Sequence, residues 1–108
     1  MGMKTQKAKP IVRAITLVRK KEEAPDHPDW SETFGVIAEA EVAYEIPANK
    51  DWRVEHFSSD GSWGISSENQ RLIEETEREQ LEDLKRHLEV FGVDVSNFDS
   101  LKIKRRDE

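Results

Sequence analysis

Hydrophobic and polar positions alternate most regularly over residues 33–46. Phe34, Val36, Ala38, Ala40, Val42, Tyr44 and Ile46 take every even position, and Gly35, Ile37, Glu39, Glu41, Ala43 and Glu45 take the odd ones. A period of two predicts a strand with one buried and one wet face. Ala38 and Ala40 are small enough to let a helix pack close, and so long a run predicts a bulge or bend near them. An earlier strand is predicted over residues 11–20, with Ile11, Ile15 and Leu17 on one side, Val12, Ala14, Thr16 and Val18 on the other, and Arg13 interrupting. Arg19, Lys20 and Lys21 close it with charge suited to a sheet edge. A third strand, residues 51–58, puts Trp52, Val54 and His56 on one face. Asp60-Gly61 then predicts a type I′ hairpin turn, since both central residues of that turn need positive φ. This register sets Ser58 opposite Trp63 and His56 opposite Ile65. Trp52, Val54, His56, Trp63 and Ile65 therefore share a buried side, which a one-residue slip would turn to water.

Residues 67–92 change to helical periodicity. Ser67 with Gln70 fits a capping box, and Glu68 suits the positive end of the helix dipole. Leu72, Ile73, Leu81, Leu84, Leu88 and Phe91 form one apolar stripe, thinner at Thr76 and Gln80. Gly92 predicts a left-handed C-terminal stop with Val93 folding back on Leu88. Lys85, Arg86 and His87 lie near the negative end of the dipole.

These elements predict an α+β fold, an antiparallel β-meander of about four strands with one long C-terminal helix packed on one face. Residues 1–9 read as a flexible basic leader, 10–103 as a single domain and 104–108 as an exposed charged tail. Val95, Phe98, Leu101 and Ile103 predict a short return to the core. Residues 21–32 form a loop in which Pro25 and Pro28 exclude regular pairing, and residues 47–50 a turn. Twelve residues is long for a passive connection, which marks the loop for function.

Composition narrows the chemistry. The chain is 35% hydrophobic and 37% charged, yet its apolar residues are periodic, so a folded domain is expected. It has no cysteine, which excludes disulfides, thiol chemistry and cysteine-based zinc sites. No apolar run reaches the ~20 residues of a membrane span and no signal segment opens the chain, so a cytoplasmic protein is expected. The net charge of −6 is uneven: residues 1–21 hold seven Lys/Arg and no acid, residues 22–99 carry a net of −15, and residues 100–108 hold four Lys/Arg and two acids. An acidic body with basic ends repels duplex nucleic acid unless the ends dominate.

The candidate sites are therefore binding surfaces. Glu74, Glu75, Glu77, Glu79, Glu82 and Asp83 give the helix an acidic face that suits a basic partner; a solvated face knit by i,i+4 pairs with Arg71, Arg78, Lys85 and Arg86 accounts for the same residues. In the Pro-rich loop, Asp26 and Asp29 flank His27, and Trp30 is the aromatic type that anchors interfaces. One histidine and two carboxylates are too few for a hard-metal or histidine-led site, so no metal is expected. His56 and His87 lack a nucleophile or a cleft, so no catalytic residue and no cofactor is assigned. The basic ends lack interleaved aromatics for stacking on bases.

Residues 58–93 carry a resemblance. S-D-G-S-W-G-I-S-S-E and the acidic helix after it resemble short uncharacterised phage, prophage and plasmid proteins with an S-x-G-L-W-G-I-E-S-D-like hairpin, a Q-L-x-x-L helix and a closing G-V. Gly61, Trp63, Gly64, Ile65, Gln80, Leu81, Leu84, Gly92 and Val93 match; Ser62 and Ser66 depart. The resemblance implies an accessory protein of mobile DNA and assigns no reaction. The expectation is a small non-catalytic binding protein acting on another protein through Asp26, His27, Trp30, Glu75, Glu79 and Asp83, such as an inhibitor of a host defence or nucleic-acid-handling complex. The alternative is a nucleic-acid-associated protein using its basic termini. Pairing of two copies through an open sheet edge is compatible with either.

Overall fold

The computed structural model describes residues 10–21, 33–46 and 51–108. The expected basic leader, most of the Pro-rich loop and the 47–50 turn lie outside these residues. The described chain runs β1 (Ile11–Lys21), β2 (Thr33–Ile46), β3 (Asp51–Ser58), β4 (Ser62–Ser66), α1 (Gln70–Val90), a 3₁₀ turn (Phe98–Ser100) and β5 (Ile103–Asp107). One sheet runs β3-β2-β1-β5, with β4 also on β2, and α1 lies across one face.

The fold is α+β, but two parts of the expected meander are corrected. The helix does not end the fold. After it the chain bridges back, with the Asp94 amide donating to the Pro10 carbonyl, and β5 then pairs parallel with β1 from Ile15↔Ile103 to Arg19↔Asp107. The residues expected as a charged tail thus complete a mixed sheet, with α1 as the crossover that parallel pairing requires. Second, β3 and β4 do not pair with each other. Both pair antiparallel with β2, end to end along one edge, Glu39↔Ser58 to Ile46↔Asp51 for β3 and Thr33↔Ser66 to Val36↔Ser62 for β4. At 14 residues β2 is long enough to take both. Asp60-Gly61 is a jog between them, with Gly61 at a positive φ of 88°. The irregularity expected within β2 sits instead on this partner strand, opposite Ala38.

The core confirms the β2 alternation. Phe34, Val36, Ala38, Ala40 and Val42 are buried against Ile73, Leu84 and Leu88 of α1, with Val12, Ile15 and Leu17 from β1. Each fully buried Leu or Ile contributes about 1.5–3 kcal/mol. A register shift between Val12 and Ala14 lets Arg13 bulge out, so Val12 joins Ile15 and Leu17 inside while Ile11 is exposed, the reverse of the expected order. Leu72 and Phe91 leave the helical stripe for solvent.

The helix starts two residues later than expected, with Asn69 as N-cap, its side chain accepting from the Leu72 amide at 3.1 Å. Its C-terminus is the expected Schellman motif: Val93 N–H to Leu88 O at 3.0 Å, Gly92 N–H to Glu89 O at 3.0 Å, and Gly92 at φ 79°.

Trp63 is 52% exposed and lies on the sheet face opposite α1, across Gly35, where a Cβ would overlap its ring. Val54 and His56 also reach that open face and are exposed, while Ile65 is buried beneath α1. The predicted shared side is therefore split within β4, where Trp63 and Gly64 together oppose Gly35 and Gly64 takes a positive φ of 76°. The Trp52 side chain lies outside the described residues.

Candidate functional site

The jog at residues 59–61 is where the sheet and α1 lock together. Ser59 is buried; its amide donates to the Ala38 carbonyl (2.8 Å), and its hydroxyl accepts from the Ala38 amide (2.9 Å) and donates to Gln80 Oε1 (2.6 Å). The Gly61 amide donates to the same Gln80 oxygen at 2.8 Å, and the Asp60 amide donates to Asp83 Oδ2 at 2.9 Å. Two helix side chains one turn apart thus satisfy the backbone donors that the jog turns away from β2. Asp83 is not a free member of the acidic face. Its side chain is 17% exposed, and the Asp60 amide, followed by His87 and Arg86, holds its carboxyl below the usual carboxylate range against the opposing effect of burial.

His87 extends the lock. Its Nδ1 faces the Ser58 carbonyl at 3.3 Å, a contact that a protonated Nδ1 satisfies. Its Nε2 faces Asp83 Oδ1 at 3.6 Å and Asp60 Oδ2 at 3.8 Å. Ligand-type atoms of Asp60, Asp83 and His87 come within 4.8 Å of one another, the one such group among the described residues. Both Asp83 oxygens are already engaged, Oδ2 by the Asp60 amide and Oδ1 by Arg86 at 3.2 Å, so the set works as an internal tie.

The remaining helix acids divide. Glu77 is buried and ion-paired with Arg105 of β5, with Arg19 at 3.9 Å, so it belongs to the fold. Glu75 is exposed and pairs with Arg71 at 3.3 Å, as the i,i+4 reading expects. The other expected pairs do not form: Arg86 turns to Asp83, and Lys85 to Asp99 at 3.7 Å. Glu79 and Glu82 are exposed and have no ion pair among the described residues. With Asp60, Gln80, Asp83 and Arg86 they line an open hollow of about 330 Å³.

Of the residues singled out from sequence, Asp26, His27 and Trp30 lie outside the described residues, Glu75 and Glu79 are on the outer face, and Asp83 faces inward. Ser59 and Gln80, which carry the lock, were legible only as polar interruptions of apolar patterns. The described parts of the two basic ends come alongside each other: β5 sets Lys104 and Arg106 opposite Thr16 and Val18 of β1, with Arg106 tied to Glu39 at 2.9 Å and to Glu108 at 3.0 Å, and Lys20 to Glu108 at 3.7 Å.

No protein-family model matches the chain, and no curated protein and no solved structure is detectably similar to it. No helix among the described residues is long and apolar enough to cross a membrane.

Proposed function

We propose that the protein is a small non-catalytic binding protein that acts by contact with a basic surface of another protein, through the outer face of α1. The observation that carries the reading is the division of the acids: the fold consumes Glu77 and Asp83, while Glu79 and Glu82 stand exposed without an ion pair among the described residues, beside Asp60 and Glu75. Carboxylates left without a cation on a rigid helix favour a partner that supplies one. The resemblance of residues 58–93 to short phage and plasmid proteins supports a narrower version, in which the protein is cytoplasmic and the partner is a host defence or nucleic-acid-handling complex. Reversing Glu75, Glu79 and Glu82 to Lys tests the reading. Binding is expected to be lost with the fold intact by circular dichroism; unchanged affinity refutes it.

The convergence of β1 and β5 favours a second reading, nucleic-acid binding through the basic edge. Because residues 103–107 form a strand, charge substitution of Lys102 and Lys104 is the test, and truncation is not. It predicts affinity that falls steeply with salt in the wild type and less steeply in the variant.

A further inference from the structure

The outer edge of β3 is half protected and half open. The Ser59 amide donates to Ala38 of β2, and antiparallel ladders alternate, so residues 51, 53, 55 and 57 turn their N–H and C=O groups toward β2. Residues 52, 54, 56 and 58 turn theirs outward. Two contacts agree with this phase: the Ser58 carbonyl faces His87, and the Asp60 amide reaches Asp83. The helix therefore covers the edge from residue 58 onward. Among the described residues nothing covers the outward groups of Trp52, Val54 and His56, since β3 ends the strand order. At eight residues β3 is not one of the very short edge strands that blunt pairing by their length. Val54 is 37% exposed on the open face, and Phe91, 67% exposed, packs tilted against Phe57, ring centroids 5.3 Å apart, on the helix side of the same edge.

We propose that this edge is the interface of a two-fold homodimer, in which β3 of one copy pairs antiparallel with β3 of a second copy about Val54. The charges choose the register. Arg53 and Glu55 lie on one side of the strand, 2.8 Å apart. Pairing about Val54 sets Arg53 of each copy opposite Glu55 of the other, Val54 opposite Val54, and Trp52 opposite His56. Each outward-facing pair then exchanges both backbone hydrogen bonds. Sliding by one residue to pair about Arg53 or Glu55 sets like charges face to face, which is unfavourable. A self-complementary patch of this kind closes with two copies and leaves neither of the β3 edges open. The two acidic α1 faces are not used, so the dimer stands independently of the proposed partner site.

Light scattering on the size-separated full chain tests it. The expected mass is twice the 12.5 kDa of one chain. Arg53→Glu alone puts like charges opposite each other at both symmetry-related contacts and should weaken self-association about tenfold or more. Arg53→Glu combined with Glu55→Arg restores the complement and should restore the dimer. Val54→Pro removes an outward N–H that β2 does not use, so it should give a folded monomer. Val54→Cys, in a chain without cysteine, should cross-link to a dimer under oxidation because the two residues meet on the axis. A one-chain mass at every concentration up to the solubility limit assigns the edge to another occupant and overturns the proposal. So does a dimer indifferent to both Val54→Pro and Arg53→Glu.

Discussion

Replacing Gln80 with leucine removes the one acceptor shared by the Ser59 hydroxyl, at 2.6 Å, and the Gly61 amide, at 2.8 Å, while nearly preserving side-chain volume. The hydroxyl is buried and has no second acceptor in this network, so its loss costs about 1–3 kcal/mol. The amide is only partly buried and recovers part of its bond from water, which limits its share to roughly 0.5–1.5 kcal/mol. The expected total is about 2–4 kcal/mol, a large fraction of the ~5–15 kcal/mol that holds a domain folded. Thermal unfolding should shift down on the order of 10 °C. Urea denaturation followed by tryptophan fluorescence measures the change directly. Because Ser59 and Gln80 are in contact, their effects are coupled: Ser59→Ala with Gln80→Leu should cost about 1–2 kcal/mol less than the two single changes added together. A Gln80→Leu loss below about 0.5 kcal/mol, the range of ordinary surface changes, would refute the claim that this carboxamide joins helix to sheet.

Three further outcomes follow from the same geometry. Asp83 has its folded pKa depressed, so its contribution is present above the ordinary carboxylate value near ~3.9 and is lost as pH falls through the lower folded value. Asp83→Asn should therefore be less stable at neutral pH and lose that part of the acid dependence in urea midpoints measured across the acidic range. Gly35→Ala drives a Cβ into the Trp63 ring, so the indole must leave its seat; the expected signs are a red-shifted fluorescence component and a loss of about 1–3 kcal/mol. Tyr44 is the only tyrosine, and burial, followed by the Glu55 carboxylate, raises its phenol above the ordinary value. Ultraviolet titration should find it ionising late, and earlier in Glu55→Gln.

The strongest local signals were read correctly from sequence: the β2 alternation, the buried members Ile73, Leu84 and Leu88 of the helical stripe, and the Gly92 stop. Each depends on a period or a cap contained within a few residues. The failures share a different cause. Asp60-Gly61 is a strong hairpin signal on its own, but here side chains 19 and 23 residues away take the Gly61 and Asp60 amides, and the chain continues along β2. The β5 segment looks like a solvated tail because Arg105 meets its counter-charge only on Glu77, 28 residues earlier. Trp63 seemed to belong to the core because alternation joined it to Ile65, but Trp63 and Gly64 together oppose Gly35, which leaves Ile65 inside and seats Trp63 over Gly35 on the open face. In the candidate site, Glu75 and Glu79 could be placed on the outer face from helical spacing alone. Asp83 has the same spacing credentials, and only the position of the jog reveals that it is spent inside the fold.

The central claim, that the outer face of α1 engages a protein partner, is tested most directly by capture. Tagged wild-type chain and the Glu75→Lys, Glu79→Lys, Glu82→Lys variant are each exposed to native host lysate and washed at low and high salt, with retained proteins and nucleic acids both identified. The account predicts a stoichiometric protein that survives high salt on the wild type and is absent from the variant. Nucleic acid released by high salt from both chains, or the same protein retained equally by both, would contradict it.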